Sequence, residues 1–453
     1  MKGAGWKGAV ARGAGAMSRL SGRGATSIPG KVLLRLDPHA IRTLSRGLSR
    51  SAAISATNGK TTTAAMVAAI LDRGGAQLVA NRAGANMAGG IAATLLTGKG
   101  DTGVFEVDEF WLGQVAGELQ PDALLLGNLF RDQLDRYGEL DTIADRWADV
   151  VAQSGDTTLV INADDPLVAD LARDRIAASD PRVITYGVED TSLALEGLQH
   201  ASDSTHCRRC GAPYRYDAIF LGHQGHYHCD VCGATRPQPA VSAHDVVLDG
   251  IRNASFTLRT PAGDAAVTLP LPGLYNVYNA LGAAALGLAL GCTLDDIAAG
   301  LRSVAPAFGR AETVALDGHE LSIMLIKNPA GANEVLRTLA LEAGDHDLFA
   351  VLNDNIADGR DVSWIWDADF ELLGERVRRA TCAGTRAAEM GLRLKYAGVP
   401  ADRIDVVEES LSEGLDRALD GATSRVFALP TYTAMLALRD ELERRGVAGS
   451  SFG

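Results

Sequence analysis

The chain has no run of about eighteen or more apolar residues, so no membrane-spanning helix is expected. It is also short of positive charge. Across 453 residues, 43 Lys and Arg stand against 56 Asp and Glu, a net charge of −13. That balance argues against a general nucleic-acid binder, because phosphate backbones need a basic field. Aromatic residues are scarce, at 5%, while glycine is abundant, at 50 residues. Few rings with much Gly and Ala favour tightly packed α/β layers. There are six cysteines, and four fall in two tight pairs. A secreted disulfide protein does not distribute them so, which points to a reducing, cytoplasmic setting. The first fifty residues lack acid: Asp37 stands alone against ten cations from Lys2 to Arg50. The stretch "GAVARGAGAM" is too Gly-rich for the apolar region of a signal peptide. Two readings of this segment stay open. One is a partly disordered, soluble tail; the other is a basic surface facing anionic lipid at the inner membrane face.

What is present has a regular alternation. The length calls for two or three domains. "SAAISATNGKTTTAAMVAAIL" reads as a buried strand, a loop and a helix. "DTGVFEVDEF", "PDALLLGNLF" and "DTTLVINADDP" read as further strands, each ending in polar residues. Strands alternating with helical segments predict a parallel sheet with crossover helices and ligands at the carboxyl ends of the strands. Residues 203–237 interrupt the pattern as a polar insertion. It resumes with "ASFTLRT" and "AAVTLPLPG", and a long Ala/Leu/Gly helix follows from Val277 to about Gly291. A third region has its own buried strands, "LSIMLI", "DLFAVLN" and "SRVFALP". The expected division is a basic N-terminal segment (1–50), a central α/β domain (51–305) and a smaller, Rossmann-like α/β domain (306–453).

Two motifs carry chemistry. Gly59, Lys60 and Thr61 fill the essential end of the phosphate-loop pattern G-x-x-x-x-G-K-[ST], with Ile54 where the first glycine usually stands. In such a loop, backbone N–H groups and a helix N-terminus face the phosphates. Thr57, Asn58 and Thr62 complete the cradle. A bare "GKT" could be only a helix start with a surface lysine; the strand–loop–helix context weighs against that. The second motif is Cys207-x2-Cys210 and Cys229-x2-Cys232, whose spacing suits a tetrahedral Zn²⁺ with four thiolates. Such a site has no open position, so the expectation is a structural zinc ribbon. A redox dithiol pair and a nucleic-acid-reading finger are the alternatives, and His206 or His228 could replace one thiolate.

"ATNGKTTT", "EVDEF", "NLFRDQLDRYG", "NADDP", "GLYNVYNALGA" and "FGRAE" occur in this order from Ala53 to Glu312. In sequence and order they resemble motifs of the Mur ligase superfamily. The resemblance implies an ATP- and Mg²⁺-using ligase with a P-loop central domain. It implies that Lys60 and the Gly59 backbone hold the β/γ-phosphates. It makes Thr61 and Glu106 ligands of Mg²⁺, with Glu109 as the second candidate. Asn162 and Asp165 would lie near adenosine, Asn276 and Asn279 near adenine, and Arg310 near the γ-phosphate. Three positions depart from the family. Ala56 replaces a glycine, Gln133 replaces a histidine that helps hold a second Mg²⁺, and Tyr275 replaces a histidine before Asn276.

The last region contains "LIKNPAGANEVLRTL", "LNDNIADGRDVSWIWDADFE", "AGTRAAEMGLRLKYAGV" and "LPTYTAMLALRDEL". Too few residues precede the loop for the UDP-binding domain of an amino-acid-adding Mur ligase. These features together resemble the MurT family, ligase subunits of lipid II isoglutaminyl synthase. That resemblance implies a heterodimer with a GatD-type glutamine amidotransferase that releases ammonia. The chain would activate the α-carboxylate of D-glutamate in the lipid II stem peptide as an acyl phosphate, giving D-isoglutamine. It further implies that Asp358 or Asp361 completes the partner's Cys–His pair. Both also suit a turn, since "ADGRD" is a good turn sequence. Cys292 and Cys382 carry no nucleophile signature, so ammonia must come from elsewhere. The runner-up is a folylpolyglutamate-type ligase that adds an amino acid without a glutaminase. A third reading is a non-catalytic, nucleotide-gated scaffold.

Overall fold

Alternating short apolar runs and helices wind into two sheets in the computed structural model, which describes residues 5–20, 27–81, 84–132, 140–200, 202–305, 310–408 and 410–447. The first sheet uses β1 (Arg50–Ser55), β2 (Leu78–Ala80), β3 (Thr102–Glu106), β4 (Ala123–Leu126), β5 (Thr158–Asn162) and β6 (Val183–Val188). After an excursion through β7 (Arg215–Leu221) and β8 (Gln224–His228) it adds β9 (Val241–Asp249), β10 (Asn253–Thr260) and β11 (Gly263–Leu269). The order is β11-β10-β9-β6-β5-β4-β1-β3-β2. All neighbours from β2 to β9 are parallel; β10 and β11 are antiparallel. β3 and β4 are buried along their whole length. This is what a sheet covered by helices on both faces requires.

β1 lies between β3 and β4, where the winding direction reverses. The loop after β1 therefore opens into the crevice where doubly wound sheets bind ligands. The helix after it, Lys60–Arg73, packs on Leu274–Ala289 and Leu294–Ser303. Ile54, Ile70, Val277 and Leu301 belong to the same buried cluster. The contact with Leu294–Ser303 is close because Gly300 has no side chain. A Cβ there would come within 2.6 Å of the Ile70 Cα.

A second sheet follows: β12 (Arg310–Leu316), β13 (His319–Met324), β14 (His346–Val351), β15 (Val377–Ala383), β16 (Ile404–Val406) and β17 (Arg425–Pro430). Its order is β12-β13-β17-β14-β15-β16, parallel except for the β12–β13 hairpin. Helices Pro329–Ala340, Ala387–Tyr396 and Leu411–Leu419 lie between its strands in the chain, and Tyr432–Arg444 follows the last of them. The β7–β8 hairpin is separate and carries the four clustered cysteines at its base.

The basic front of the chain, read from the sequence as either a partly disordered tail or a basic surface, is helical over most of its described residues. It forms helices Gly5–Leu20, Ile28–Leu36 and Ala40–Ser45. Ala11, Leu33, Ala40 and Leu96 make a small core of their own. Glycine at position 30 allows the close approach to helix Ala88–Thr97, since a Cβ there would overlap the Gly89 carbonyl. Arg12, Lys31, Arg35, Arg42 and Arg46 are exposed, and Trp6 is 67% exposed. Among the described residues, no helix is long and apolar enough to cross a membrane.

Overpacking the Gly300 contact should cost stability without touching the crevice. Gly300→Ala is expected to lose about 1–3 kcal/mol, read as a lower midpoint in urea unfolding.

Candidate active site

The phosphate loop is held from below by the neighbouring strand. Asn128, just past β4, accepts from the Asn58 N–H at 2.9 Å and donates Nδ2 to the Asn58 carbonyl at 3.0 Å. The Thr57 N–H donates to the Asn128 carbonyl at 2.9 Å. The Phe130 N–H donates to Thr57 Oγ1 at 3.1 Å. These bonds fix residues 57–58 in place before any ligand arrives. Gly59 then has φ +87°, a left-handed conformation that favours glycine, and a Cβ there would strike Asn279 Oδ1. Ile54, at the usual first-glycine position, is a fully buried β1 residue, paired with Glu106 and Leu125. The loop proper begins at Ala56, whose methyl is accommodated because Gly127 opposite has no side chain.

Acidic side chains close the other side. The Thr61 hydroxyl donates to Glu106 Oε2 at 2.8 Å. Asn86 Nδ2 lies 3.3 Å from Glu106 Oε1. The Glu106 backbone is clamped by Asn81, which accepts its N–H and donates to its carbonyl, both at 2.9 Å. Lys60 Nζ donates to Glu109 Oε2 at 2.7 Å and to the Ala56 carbonyl. Burial works against the Lys60 charge, but Glu109, Glu106 and Asp108 outweigh it, and its pKa is raised. The fully buried Trp147 fixes the Glu109 loop by donating Nε1 to the Glu109 carbonyl at 3.1 Å. A hydroxyl and a carboxylate oxygen 2.8 Å apart, beside a lysine, are the hard oxygen donors that Mg²⁺ takes next to phosphate.

Beside the loop is a cavity. Asn58, Gly59, Thr62, Asn128 and Asn279 line it from the first sheet. Lys327, Gly331 and Glu334 line it from the second. Of the residues expected near the nucleoside, only Asn279 reaches it. Asn276 stands behind, accepting from Asn279 Nδ2 at 3.1 Å. Asn162 turns back to its own loop, accepting the Asp164 N–H at 3.0 Å. Asp165 is fully buried and caps helix Pro166–Leu171, accepting from Leu167 and Val168. It also accepts the Leu129 N–H at 3.0 Å. Arg310 opens β12, but its side chain lies outside the described residues, as does all of Gln133. Tyr275 lines the cavity. The sequence reading missed Asn128, Lys327, Asn328 and Glu334. Lys327 and Asn328 sit in "LIKNPAGANE", and their one signal was a strand end followed by an Asn-Pro helix start.

The four clustered cysteines come together. Their Sγ atoms all lie within 4.8 Å of one another. A tetrahedral Zn²⁺ with bonds of about 2.3 Å separates sulfurs by about 3.8 Å. The two knuckles share one geometry. Gly211 and Gly233 follow the second cysteine of each pair, both with φ +72°. The Cys207 and Cys229 N–H groups donate to Ala212 and Ala234 carbonyls, both at 2.7 Å. His206 and His228 are not in the cluster. The residues fit a four-thiolate metal site. At the far end of the same hairpin, His223 is fully buried, with Nε2 3.3 Å from Asp165 Oδ2. Gln224 lines the nucleotide-side cavity.

A second cavity adjoins the first and shares Lys327. Arg131, Asp132, Asn328, Asp358, Asp361 and Trp364 are among its walls. Asp358 is buried and accepts from the Thr433 N–H at 2.7 Å and from the Thr433 hydroxyl. Burial raises its pKa against those hydrogen bonds. Asp361 is exposed, and hydrogen bonds from Ser363 hold its carboxyl below the usual range. Cys382 is buried with its thiol pushed up to about 12 by burial, and Cys292 is likewise raised by burial. Neither has the depressed pKa of a nucleophilic thiol.

Comparison with known proteins agrees over nearly the whole chain. The Mur ligase middle domain profile matches residues 54–230, and the MurT ligase C-terminal profile matches residues 325–435. The lipid II isoglutaminyl synthase (glutamine-hydrolyzing) subunit MurT of Staphylococcus aureus is 34% identical over 440 residues. That alignment covers 96% of each chain. The subunit of the same name from Streptococcus pneumoniae is 33% identical, over 95% of each. Two solved structures share the fold. A pseudomurein peptide ligase type C from Methanothermus fervidus has TM-score 0.66 and 23% identity, covering 89% of this chain and 80% of its own. Folylpolyglutamate synthase from Mycobacterium tuberculosis has TM-score 0.62 and 17% identity, covering 94% and 99%.

Two expectations follow from this geometry. Asn128→Ala removes the two bonds that fix Asn58, so ATP should bind about tenfold more weakly, about 1.4 kcal/mol by calorimetry. Cys229→Ser should purify with markedly less zinc than wild type by elemental analysis. It should also melt at a lower temperature, because a structural metal site contributes folding energy.

Proposed function

The chain belongs to the MurT family of ligases, and from that premise we propose that it is the ATP-using subunit of a lipid II isoglutaminyl synthase. On this reading it amidates the α-carboxylate of D-glutamate in the lipid II stem peptide. The ammonia comes from a GatD-type glutaminase partner. One observation carries it most directly. Lys60, Thr61 and Glu106 converge at the ends of β1 and β3, beside a cavity, in a chain alike from end to end to such subunits.

The chemistry follows from what a carboxylate lacks. It is a poor electrophile, and transfer of the γ-phosphoryl makes an acyl phosphate with a good leaving group. Lys60 would exchange Glu109 for the β/γ-phosphates, and the Gly59 backbone would face the same oxygens. Thr61 and Glu106 would hold Mg²⁺, which neutralises phosphate charge during transfer. Thr62 and Asn279 border the cavity that would take the nucleoside. Asn162, Asp165 and Asn276 would serve from behind, by fixing the loops that touch it. The four-thiolate zinc site would hold the hairpin whose tip reaches the same cavity. Ammonia needs no amino-acid pocket, which suits a last domain of different sequence from the amino-acid-adding ligases.

Asp358 and Asp361 separate on burial. Asp358 is occupied in holding the start of helix Tyr432–Arg444. Asp361 is exposed and stays ionised, as an acid that orients a histidine must. Asp361 is therefore the better candidate to complete the partner's Cys–His pair. The basic helix Gly5–Leu20, with Trp6 outward, suits a brief encounter with the anionic surface that carries the lipid-linked acceptor.

The test is co-purification with an amidotransferase partner, followed by mass spectrometry of lipid II for conversion of carboxyl to amide. Conversion should require both ATP and glutamine. Lys60→Ala and Glu106→Ala should each slow it by on the order of 100-fold or more. Conversion with glutamate or another amino acid as donor, and no need for a partner, would instead establish the folylpolyglutamate-type alternative. Asp361→Asn should abolish glutamine hydrolysis by the complex with ATP affinity unchanged. Asp358→Asn should chiefly lower the melting temperature. Full glutaminase activity in both variants would remove the shared triad.

A further inference from the structure

Two helix starts meet between the sheets. Asn58 leads into helix Lys60–Arg73, and Asn328 caps helix Pro329–Ala340 by accepting the Gly331 N–H at 2.8 Å. The two side chains join as a pair of amides. Asn328 Nδ2 donates to Asn58 Oδ1 at 2.9 Å, and Asn58 Nδ2 donates back at 3.3 Å. Each helix start carries roughly half a positive charge. Bringing two together is unfavourable unless an anion lies between them or nearby. Lys327 adds a full charge at the same place. Its position is rigid, because the Ile326 before it is fully buried and donates its N–H to Pro430 at 3.0 Å.

Lys327 lines both cavities. Its Nζ donates to Asp132 Oδ2 at 2.5 Å and to the Thr57 carbonyl of the phosphate loop at 3.2 Å. An ammonium has three donors, and these bonds use two. Arg131, the other cation of the second cavity, already engages Asp203 and Asp367. Asp132 Oδ1 is buried and has no hydrogen-bond partner among the described residues. Lys327 is thus the cation of the second cavity that touches the phosphate loop.

We propose that the second cavity is the acceptor subsite for a peptide-borne carboxylate, and that Lys327 holds that carboxylate against the terminal phosphate of a nucleotide in the first. The inference rests on the ligase reading and names the seat that reading leaves open. A carboxylate oxygen bonds to the γ-phosphorus as the bond from phosphorus to the β–γ bridging oxygen breaks, and ADP leaves. Ammonia then bonds to the acyl carbon, phosphate leaves with the C–O electron pair, and a proton is released. In the first step Lys327 offsets the repulsion between two anions, the carboxylate and the phosphate. Asp361 lines the same cavity, so the ammonia source and the acyl carbon would share one space.

The experiment uses the full chain with its amidotransferase partner. Lys327→Met keeps the stem and removes the charge; Lys327→Arg keeps the charge. Lys327→Met should lower kcat/KM for the acceptor by on the order of 100-fold. Its affinity for an ATP analogue should stay within about threefold of wild type by calorimetry. Lys327→Arg should recover at least about a tenth of wild-type kcat/KM. Glutamine hydrolysis is assayed alongside and should persist in both. The assignment fails if Lys327→Met amidates at wild-type speed. It fails equally if analogue affinity falls by the same factor as kcat/KM, or if Lys327→Arg is no better than Lys327→Met. Should Lys327→Met melt early, the arginine variant and its analogue affinity decide alone. A wild-type complex that does not amidate at all overturns the ligase reading instead, and the two failures are distinct.

Discussion

A carboxylate removed from water must be met by donors, and Asp165 is met from three directions. It has no exposed surface. One oxygen accepts the Leu167 and Val168 N–H groups at a helix start; the other accepts Leu129 N–H and lies near His223 Nε2. Removing such an acid leaves its donors unpaired, at a cost of about 1–3 kcal/mol for each buried group. The Leu129 bond matters most. Leu129 lies between Asn128 and Phe130, the residues that fix Thr57 and Asn58. The shape of the phosphate loop thus depends on a buried acid one strand farther along the sheet. Through His223 it depends also on the tip of the cysteine hairpin.

That dependence gives the hairpin a place in the architecture. A two-stranded hairpin is marginal by itself. Here the four-cysteine cluster closes its base, and Phe220 and His223 bury its tip against the first sheet and the second. Arg337, on helix Pro329–Ala340, donates to the Phe220 carbonyl at 2.7 Å and pairs with Glu334. Glu334 in turn borders the nucleotide-side cavity, with its pKa raised by burial against the pull of Arg337. Three separate segments of chain meet at one cavity wall, and the hairpin is the one common to them.

Much of this was legible in the sequence because it is local. β1 with its loop and helix, the acidic end of β3 and the strand in "DTTLVIN" each announce themselves by apolar runs and turn residues. Cys-x2-Cys twice announces a metal cluster whatever surrounds it. The helices at the front of the chain were not legible because their signal is small: Gly30 against Gly89 is a backbone contact that has meaning only once both helices exist. β2 and β16, of three residues each, are below what apolar runs can show. The residues expected near the nucleoside came from family likeness, which does not separate those that face a cavity from those that hold a loop. Asp165 and Asn162 are buried and accept from loop and helix-start N–H groups. Lys327 and Asn328 are far from the phosphate loop in the chain, and no periodicity brings position 328 to position 58.

The charges at the loop also explain why the cation and the nucleotide should bind together. In the structure Lys60 is paired with Glu109, and the Thr61 hydroxyl donates to Glu106. A nucleotide alone would take Lys60 and leave Glu109 and Glu106 facing phosphate oxygens of like sign. A divalent cation alone would take Glu106 and stand beside the Lys60 ammonium. At effective dielectric constants near 20, a misplaced unit charge at about 4 Å costs about 4 kcal/mol. When the two arrive together, the cation would offset part of the phosphate charge beside Glu106 while phosphate replaces Glu109 on Lys60. Glu109 need not be a metal ligand for this to hold. In the structure it pairs with Lys60 and helps raise its pKa.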